Sequence, residues 1–184
     1  MLSKVYRKII YIIELLFSFF RKLHLKLMYP NIEIDSKSFI SKGCSISCSS
    51  NAKLKITESY LSKGVVIKSD NVALITINKT FIGINSIIVA TKGITIKKDC
   101  LIAEMVVIRD QDHNLKNGVS ITNSGLKDDF IVIHENVWLA AKCTILRGSE
   151  IESGVVVGAN SVVKGKLEAN TVYAGIPSQK IYTY

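Results

Sequence analysis

From Ile133 to Val163 the aliphatic residues of the chain recur every six positions. Ile133, Leu139, Ile145, Ile151, Val157 and Val163 share one register, and Val137, Cys143, Ser149, Val155, Ser161 and Leu167 stand four places after each of them. A helix would bring apolar residues back at three and four, and a lone strand at two. A six-residue period instead predicts a left-handed parallel β-helix, a solenoid in which three short faces make one triangular turn of about eighteen residues and each face buries one aliphatic side chain.

The same register is present upstream. Ile34, Ile40 and Ile46 are spaced by six, with Ser38, Cys44 and Ser50 at the small position. Ile82, Ile88 and Ile94 follow, and a slip of two residues resets the count to Ile96, Ile102 and Ile108. Leu61, Ile67 and Ala73 fit between these blocks, but the coil boundaries between Asn51 and Ile82 are open.

Residues from Ser3 to about Met28 contain neither glycine nor proline and read as one helix that ends before Pro30. Lys4, Arg7, Lys8, Tyr11, Glu14, Ser18, Arg21 and Lys22 gather on one side, and Ile9, Ile12, Ile13, Leu16, Phe17, Phe20, Leu23 and Leu27 form a broad apolar face. The apolar run from Ile9 to Phe20 is twelve residues long and includes Glu14, too short for a membrane span. No small-residue cleavage site follows it, so it does not read as a secretory signal. Two readings stand: the helix makes peripheral contact with a membrane through residues 3–28, or its apolar face packs on the solenoid or on a neighbouring subunit. The organisation is therefore a helix over residues 1–30 and a mainly β solenoid over residues 31–184.

Composition narrows the class. At 184 residues there is enough chain for one sizeable core, and 48% hydrophobic residues with two prolines argue against disorder. Cys44, Cys100 and Cys143 occupy small interior positions, and no CxxC pair occurs, so the thiols read as packing groups of a reduced, cytoplasmic protein. The net charge of +9 is concentrated in the first helix, and no basic stripe interleaved with aromatics appears; nucleic acid is not an expected partner.

Between Ile108 and Ile131 the six-residue rule fails and a polar segment, Arg109 to Phe130, is extruded. Long irregular segments on a rigid scaffold carry function disproportionately. This one holds His113; His24 lies in the helix and His134 inside a repeat.

Three motifs around and after the break resemble hexapeptide-repeat acyltransferases, the group that includes maltose, galactoside and surface-polysaccharide O-acetyltransferases. They are Asp110-Gln111-Asp112-His113, Asn136-Val137-Trp138-Leu139, and the closing Asn170-Thr171-Val172-Tyr173-Ala174-Gly175-Ile176-Pro177. With the repeat, the resemblance covers roughly residue 34 to the end. It implies acetyl-CoA as co-substrate, no metal, a carbohydrate acceptor, and a homotrimer in which His113 faces the tryptophan side of an adjacent chain.

The resemblance also implies roles. His113 would be the general base, with Asp110 or Asp112 orienting the imidazole and Glu104 a weaker candidate. Asn85 and Trp138 would meet the acceptor, Trp138 bordering the donor cleft as well. Ala141 and Ala159 would offer backbone amides to the thioester or pantetheine arm, and Lys164 and Lys180 would contact the phosphates. The chain departs from the family pattern at His134, where glycine is usual, and at Ser178-Gln179, which displaces the base after Pro177 by one step.

The expected activity is transfer of acetyl to a sugar hydroxyl of a bacterial surface glycan or its precursor, at the inner face of the cytoplasmic membrane. N-acetylation of an aminosugar nucleotide and a non-catalytic glycan-binding solenoid are the alternatives. A zinc carbonic anhydrase on the same solenoid would need three histidine ligands, and with His24 in the helix only His113 and His134 remain.

Overall fold

The computed structural model describes residues 2–184, with side chains from Val5 onward. Lys4, assigned above to the polar side of the helix, lies outside the described side chains. A helix, Leu2–Met28, is followed by a parallel β-helix whose short strands stack into three sheets of seven, eight and six strands.

The first rung consists of Ile32–Ile34, Phe39–Ile40 and Ser45–Cys48, one strand on each face, and later rungs repeat that order. Register is set by the interior aliphatics. On the first face Ile34, Ile56, Ile77, Ile96, Ile133 and Ile151 stack in one column. Ile40, Leu61, Ile82, Ile102, Leu139 and Val157 form the column of the second face, and Ile46, Ile67, Ile88, Ile108, Ile145 and Val163 that of the third. Nearly all are fully buried, so each rung stacks aliphatic on aliphatic along one continuous core.

The middle of the chain resisted phasing because its rungs are longer than eighteen residues. Ile34 lies beside Ile56 and Ile56 beside Ile77, steps of 22 and 21, whereas Ile133 to Ile151 is 18. The early strands of the first face bury two residues each, as with Leu54 and Ile56, and extra residues such as Asn71, at φ 55°, turn the corner before it. Ser50 belongs to such a corner and is exposed; Ala52 takes the buried place instead.

Both open ends are closed. At the start, the first rung would leave strand N–H and C=O groups unpaired. The helix satisfies those of the second face with its polar side: Ser18 Oγ accepts from Ile40 N–H at 2.9 Å, and Arg21 donates to Ile40 C=O at 3.0 Å. Lys22 donates to the carbonyls of Ser36 and Ser38 at 2.8 and 2.9 Å. Of the readings of the apolar face, packing on the solenoid of the same chain is not what the structure shows, since Leu16, Phe17, Phe20, Leu23 and Leu27 are all exposed. No described helix is long and apolar enough to cross a membrane. At the other end Gln179–Thr183 turns back antiparallel on Thr171–Ala174, and Tyr173 of the closing motif fills the last core position.

Burial raises the pKa of all four thiols, Cys100 to about 11. Thiolate is the reactive form, so a raised pKa leaves less of it at pH 8. A disulfide reagent added at pH 8 should therefore label the native protein slowly and release four equivalents only in denaturant; rapid native labelling at Cys100 would contradict the burial.

Candidate active site

The extruded segment is built around Asp110, which is completely buried where the third face of the fourth rung ends. Its carboxylate accepts from three backbone N–H groups of the previous corner: Oδ1 from Thr91 at 2.9 Å, and Oδ2 from Lys92 at 2.9 Å and Gly93 at 2.7 Å. Such charge-assisted bonds are about twice as strong as neutral ones. The departing chain is thereby fastened to the rung it leaves.

Beyond this anchor Gln111–His113 pairs antiparallel with Leu126–Asp128, with His113 opposite Leu126. Asn114 Nδ2 adds a bond to Leu126 C=O at 3.1 Å. The returning strand is tied down by Asp129, whose N–H donates to Asp110 C=O at 2.9 Å, and by Phe130. The Phe130 ring lies so close over Gly93 that a Cβ there would meet it at 2.9 Å. A hairpin held at both feet thus presents His113 to solvent.

Among the described residues neither aspartate hydrogen-bonds that imidazole, the part the resemblance implies for one of them. Asp110 is consumed by backbone amides, and Asp112 Oδ2 accepts from Arg147 Nε at 2.7 Å, bracing the hairpin against the fifth rung. Sequence reasoning did not identify Arg147, which sits 35 residues away in an ordinary repeat. It also passed over Gln111, whose buried Oε1 has no partner among the described residues and which shares its strand side with His113.

The other candidates lie elsewhere on the prism. Trp138 stands on the second face of the fifth rung, with its indole exposed. Ala141 and Ala159 follow at the corner between the second and third faces, stacked so that Asn160 N–H donates to Ala141 C=O at 2.9 Å. Among the described residues their own N–H groups meet no backbone acceptor, nor do those of Ile84 and Glu104 at the same corner. From the fifth rung onward the residues at this place are small, so the row of amides opens beside Trp138. Glu104 lies at this corner rather than beside His113.

Asn85 also belongs to this corner. It takes φ 57°, the left-handed conformation that Gly64 provides one rung earlier, and its Oδ1 lies over the Gly64 α-carbon. Lys164 is exposed after the last strand of the third face. Lys180 is not a free cation: it bonds Glu168 at 2.7 Å, and this pair raises the lysine pKa and lowers that of the glutamate.

His134 lies on the outer side of the first face, within a charge network. Lys97 Nζ donates to Nδ1 at 3.1 Å, which leaves the ring proton on Nε2, 3.3 Å from Glu150 Oε1. Glu152 completes a group of three with ligand-type atoms within 4.8 Å, but Lys166 already pairs with both glutamates, at 3.4 and 2.8 Å. A metal at Nε2 would need the proton moved to Nδ1, against the Lys97 ammonium.

Within one chain, then, His113 and the row formed by Trp138, Ala141 and Ala159 are not brought together. The hairpin leaves from the corner between the third and first faces, and a whole face, up to about 20 Å of strand, separates it from the Ala141 corner.

Residues 130–165 match the bacterial transferase hexapeptide family, six repeats. Over 130 residues the chain is 38% identical to the Escherichia coli K12 protein WbbJ, named for O-acetyl transfer in lipopolysaccharide biosynthesis, covering 66% of this chain and 62% of that one. Over 123 residues it is 36% identical to the polysialic acid O-acetyltransferase of Neisseria meningitidis, covering 60% and 55%. The chain thus spans somewhat over half the length of these relatives. The crystal structure of AntD, an N-acyltransferase from Bacillus cereus in complex with dTDP and 3-hydroxybutyryl-CoA, superposes with a TM-score of 0.74 at 19% identity, over 89% of this chain and 87% of that one. Residues 130–165 thus match the hexapeptide transferase repeat, and the solenoid around them is the left-handed β-helix that the six-residue period predicts.

Replacing Asp110 by asparagine would turn one acceptor oxygen into a donor facing backbone N–H groups. The Asp110→Asn variant should lose about 3 kcal/mol of stability in urea unfolding; an unchanged midpoint and slope would refute the anchoring role.

Proposed function

We propose that the protein is an acetyl-CoA-dependent O-acetyltransferase acting on a sugar hydroxyl of a surface glycan or its precursor, with His113 as general base. The observation that carries this reading is the doubly anchored hairpin, which holds an exposed imidazole where the chain leaves the solenoid for some twenty residues. The two relatives named for O-acetyl transfer, at 38% and 36% identity, favour a hydroxyl acceptor over the aminosugar amine. Four free thiols, three of them buried and Cys44 half-buried, fit a cytoplasmic location.

In the proposed step the neutral imidazole takes the hydroxyl proton as the sugar oxygen attacks the thioester carbonyl. A tetrahedral oxyanion forms, and a donor such as the Ala141 N–H stabilises it by about 3 kcal/mol. Collapse breaks the carbon–sulfur bond, and the imidazolium returns its proton to the departing thiolate, leaving an acetyl ester and free CoA. Trp138 and Ala159 line the donor groove in this scheme, and Asn85 and Trp138 border the acceptor. Lys164 is the exposed cation left to meet a phosphate, because Lys180 is engaged by Glu168.

The separation of His113 from the Ala141 corner calls for a second chain to complete each site, and a homotrimer does this three times. The second face carries a suitable contact. Its outward column is Phe39, Tyr60, Phe81, Leu101, Trp138, Val156 and Val172, all apolar, with Phe39, Tyr60 and Phe81 stacked at 4.9 and 5.5 Å between ring centres. Contiguous exposed apolar surface of this kind marks interaction sites.

His113→Ala should lower kcat for acetyl transfer by about 10² to 10⁴ with little change in the KM for acetyl-CoA; an unaltered rate would remove the base assignment. Light scattering should give three times the 20.3 kDa chain mass, and Leu101→Glu should reduce it to the single-chain value. A wild-type monomer would rule out the shared site.

A further inference from the structure

We infer that the N-terminal helix is a two-sided cap whose polar side closes the solenoid and whose apolar side lies in the surface of an anionic lipid bilayer. The inference is independent of the chemistry assigned to His113. Soluble amphipathic helices bury their apolar stripe and wet their polar one. Here the arrangement is reversed: Ser18 is 2% exposed and hydrogen-bonded to the first rung, while Leu16, Phe20 and Leu27 are 56, 60 and 75% exposed. The polar side cannot turn to solvent without stripping Ile40 and the Ser36 and Ser38 carbonyls of their partners.

The apolar surface runs the length of the helix, through Val5, Ile9, Ile12, Leu16, Phe20, Leu23 and Leu27, all exposed. At 100° per residue these positions span one broad arc centred opposite Ser18, and Lys8 and Lys26 share its shoulder. From Val5 to Met28 the helix carries Arg7, Lys8, Arg21, Lys22 and Lys26 against the single carboxylate Glu14. Arg21 and Lys22 are spent on the first rung, which leaves Lys8 and Lys26 on the shoulder of the apolar arc, placed as an interfacial helix places basic groups among anionic head groups with its aromatics and aliphatics at the acyl boundary. A second copy meeting the same face would set these basic shoulders against one another.

The capping contacts also fix the orientation. The helix lies across the first rung, so the solenoid stands with that end towards the lipid. The hairpin leaves the fourth rung, three strand spacings or about 14 Å further out. If the acyl-transfer reading holds as well, an acceptor anchored in the same bilayer would meet His113 at that height.

The test uses the full chain and vesicles without substrate, so its failure is separable from any failure of acetyl transfer. Wild-type protein should sediment with phosphatidylglycerol-containing vesicles, more weakly with pure phosphatidylcholine, and less as salt is raised. The double variant Leu16→Glu, Phe20→Glu should lose at least tenfold in partitioning while keeping its circular dichroism and melting temperature, because neither side chain is buried against the solenoid. Wild-type protein left in the supernatant with both vesicle types would overturn the inference, as would undiminished binding of the variant. Equal binding to both lipids would overturn the role of the basic shoulder. A fall in the variant's assembled mass, with no vesicle binding by wild type, would assign the face to a second copy instead.

Discussion

The structure depends on stacking identical things. Each rung of the solenoid hydrogen-bonds to the next through parallel strands only a few residues long, and so short a ladder holds its register only because the inward side chains also stack. Ile82 on Leu61, Ile102 on Ile82 and Leu139 on Ile102 show the principle on one face. A rung shifted by one residue would point a polar side chain inward against two aliphatics, so register and core are one constraint. Loops can leave at the corners without disturbing it, provided that the chain returns at the same place.

That proviso accounts for the hairpin. A polar excursion of some twenty residues would ordinarily be mobile, and its two feet would drift on the rung. Asp110 and Phe130 prevent this from opposite sides, one through three backbone N–H groups and the other by packing on a glycine that admits no side chain. The Arg147–Asp112 pair then sets the lean of the hairpin towards the later rungs. The carboxylates that stood out in the sequence are therefore fasteners of the hairpin that carries His113, Asp110 through backbone N–H groups and Asp112 through Arg147.

The ends of the solenoid pose the complementary problem, because stacking has to stop somewhere. At the C-terminal end the chain folds back on itself with Gln179–Thr183. At the N-terminal end a helix covers the edge with hydroxyl, guanidinium and ammonium groups, the side chains able to satisfy strand carbonyls and amides. Using the polar side for this purpose leaves the apolar side outward, so the surface character of the helix is a consequence of the edge it closes.

Much of this was legible in the sequence, for a physical reason. A six-residue repeat is a local property: each buried aliphatic answers to the rung it sits in, so Ile34, Ile40 and Ile46, or Ile96, Ile102 and Ile108, announce the fold without knowledge of any distant residue. Trp138, directly before a buried leucine, had to face outward, and it does. The early rungs could not be phased, since corner insertions lengthen them by amounts that only the neighbouring rungs make acceptable. What tertiary structure alone decided were pairings across rungs. Asp110 finds amides from Thr91 to Gly93, Asp112 finds Arg147, Lys180 finds Glu168, and the helix turns its serine rather than its phenylalanines to the core. In each case several partners were compatible with the sequence, and the choice fell to whichever backbone or charge the closed prism placed within hydrogen-bond reach.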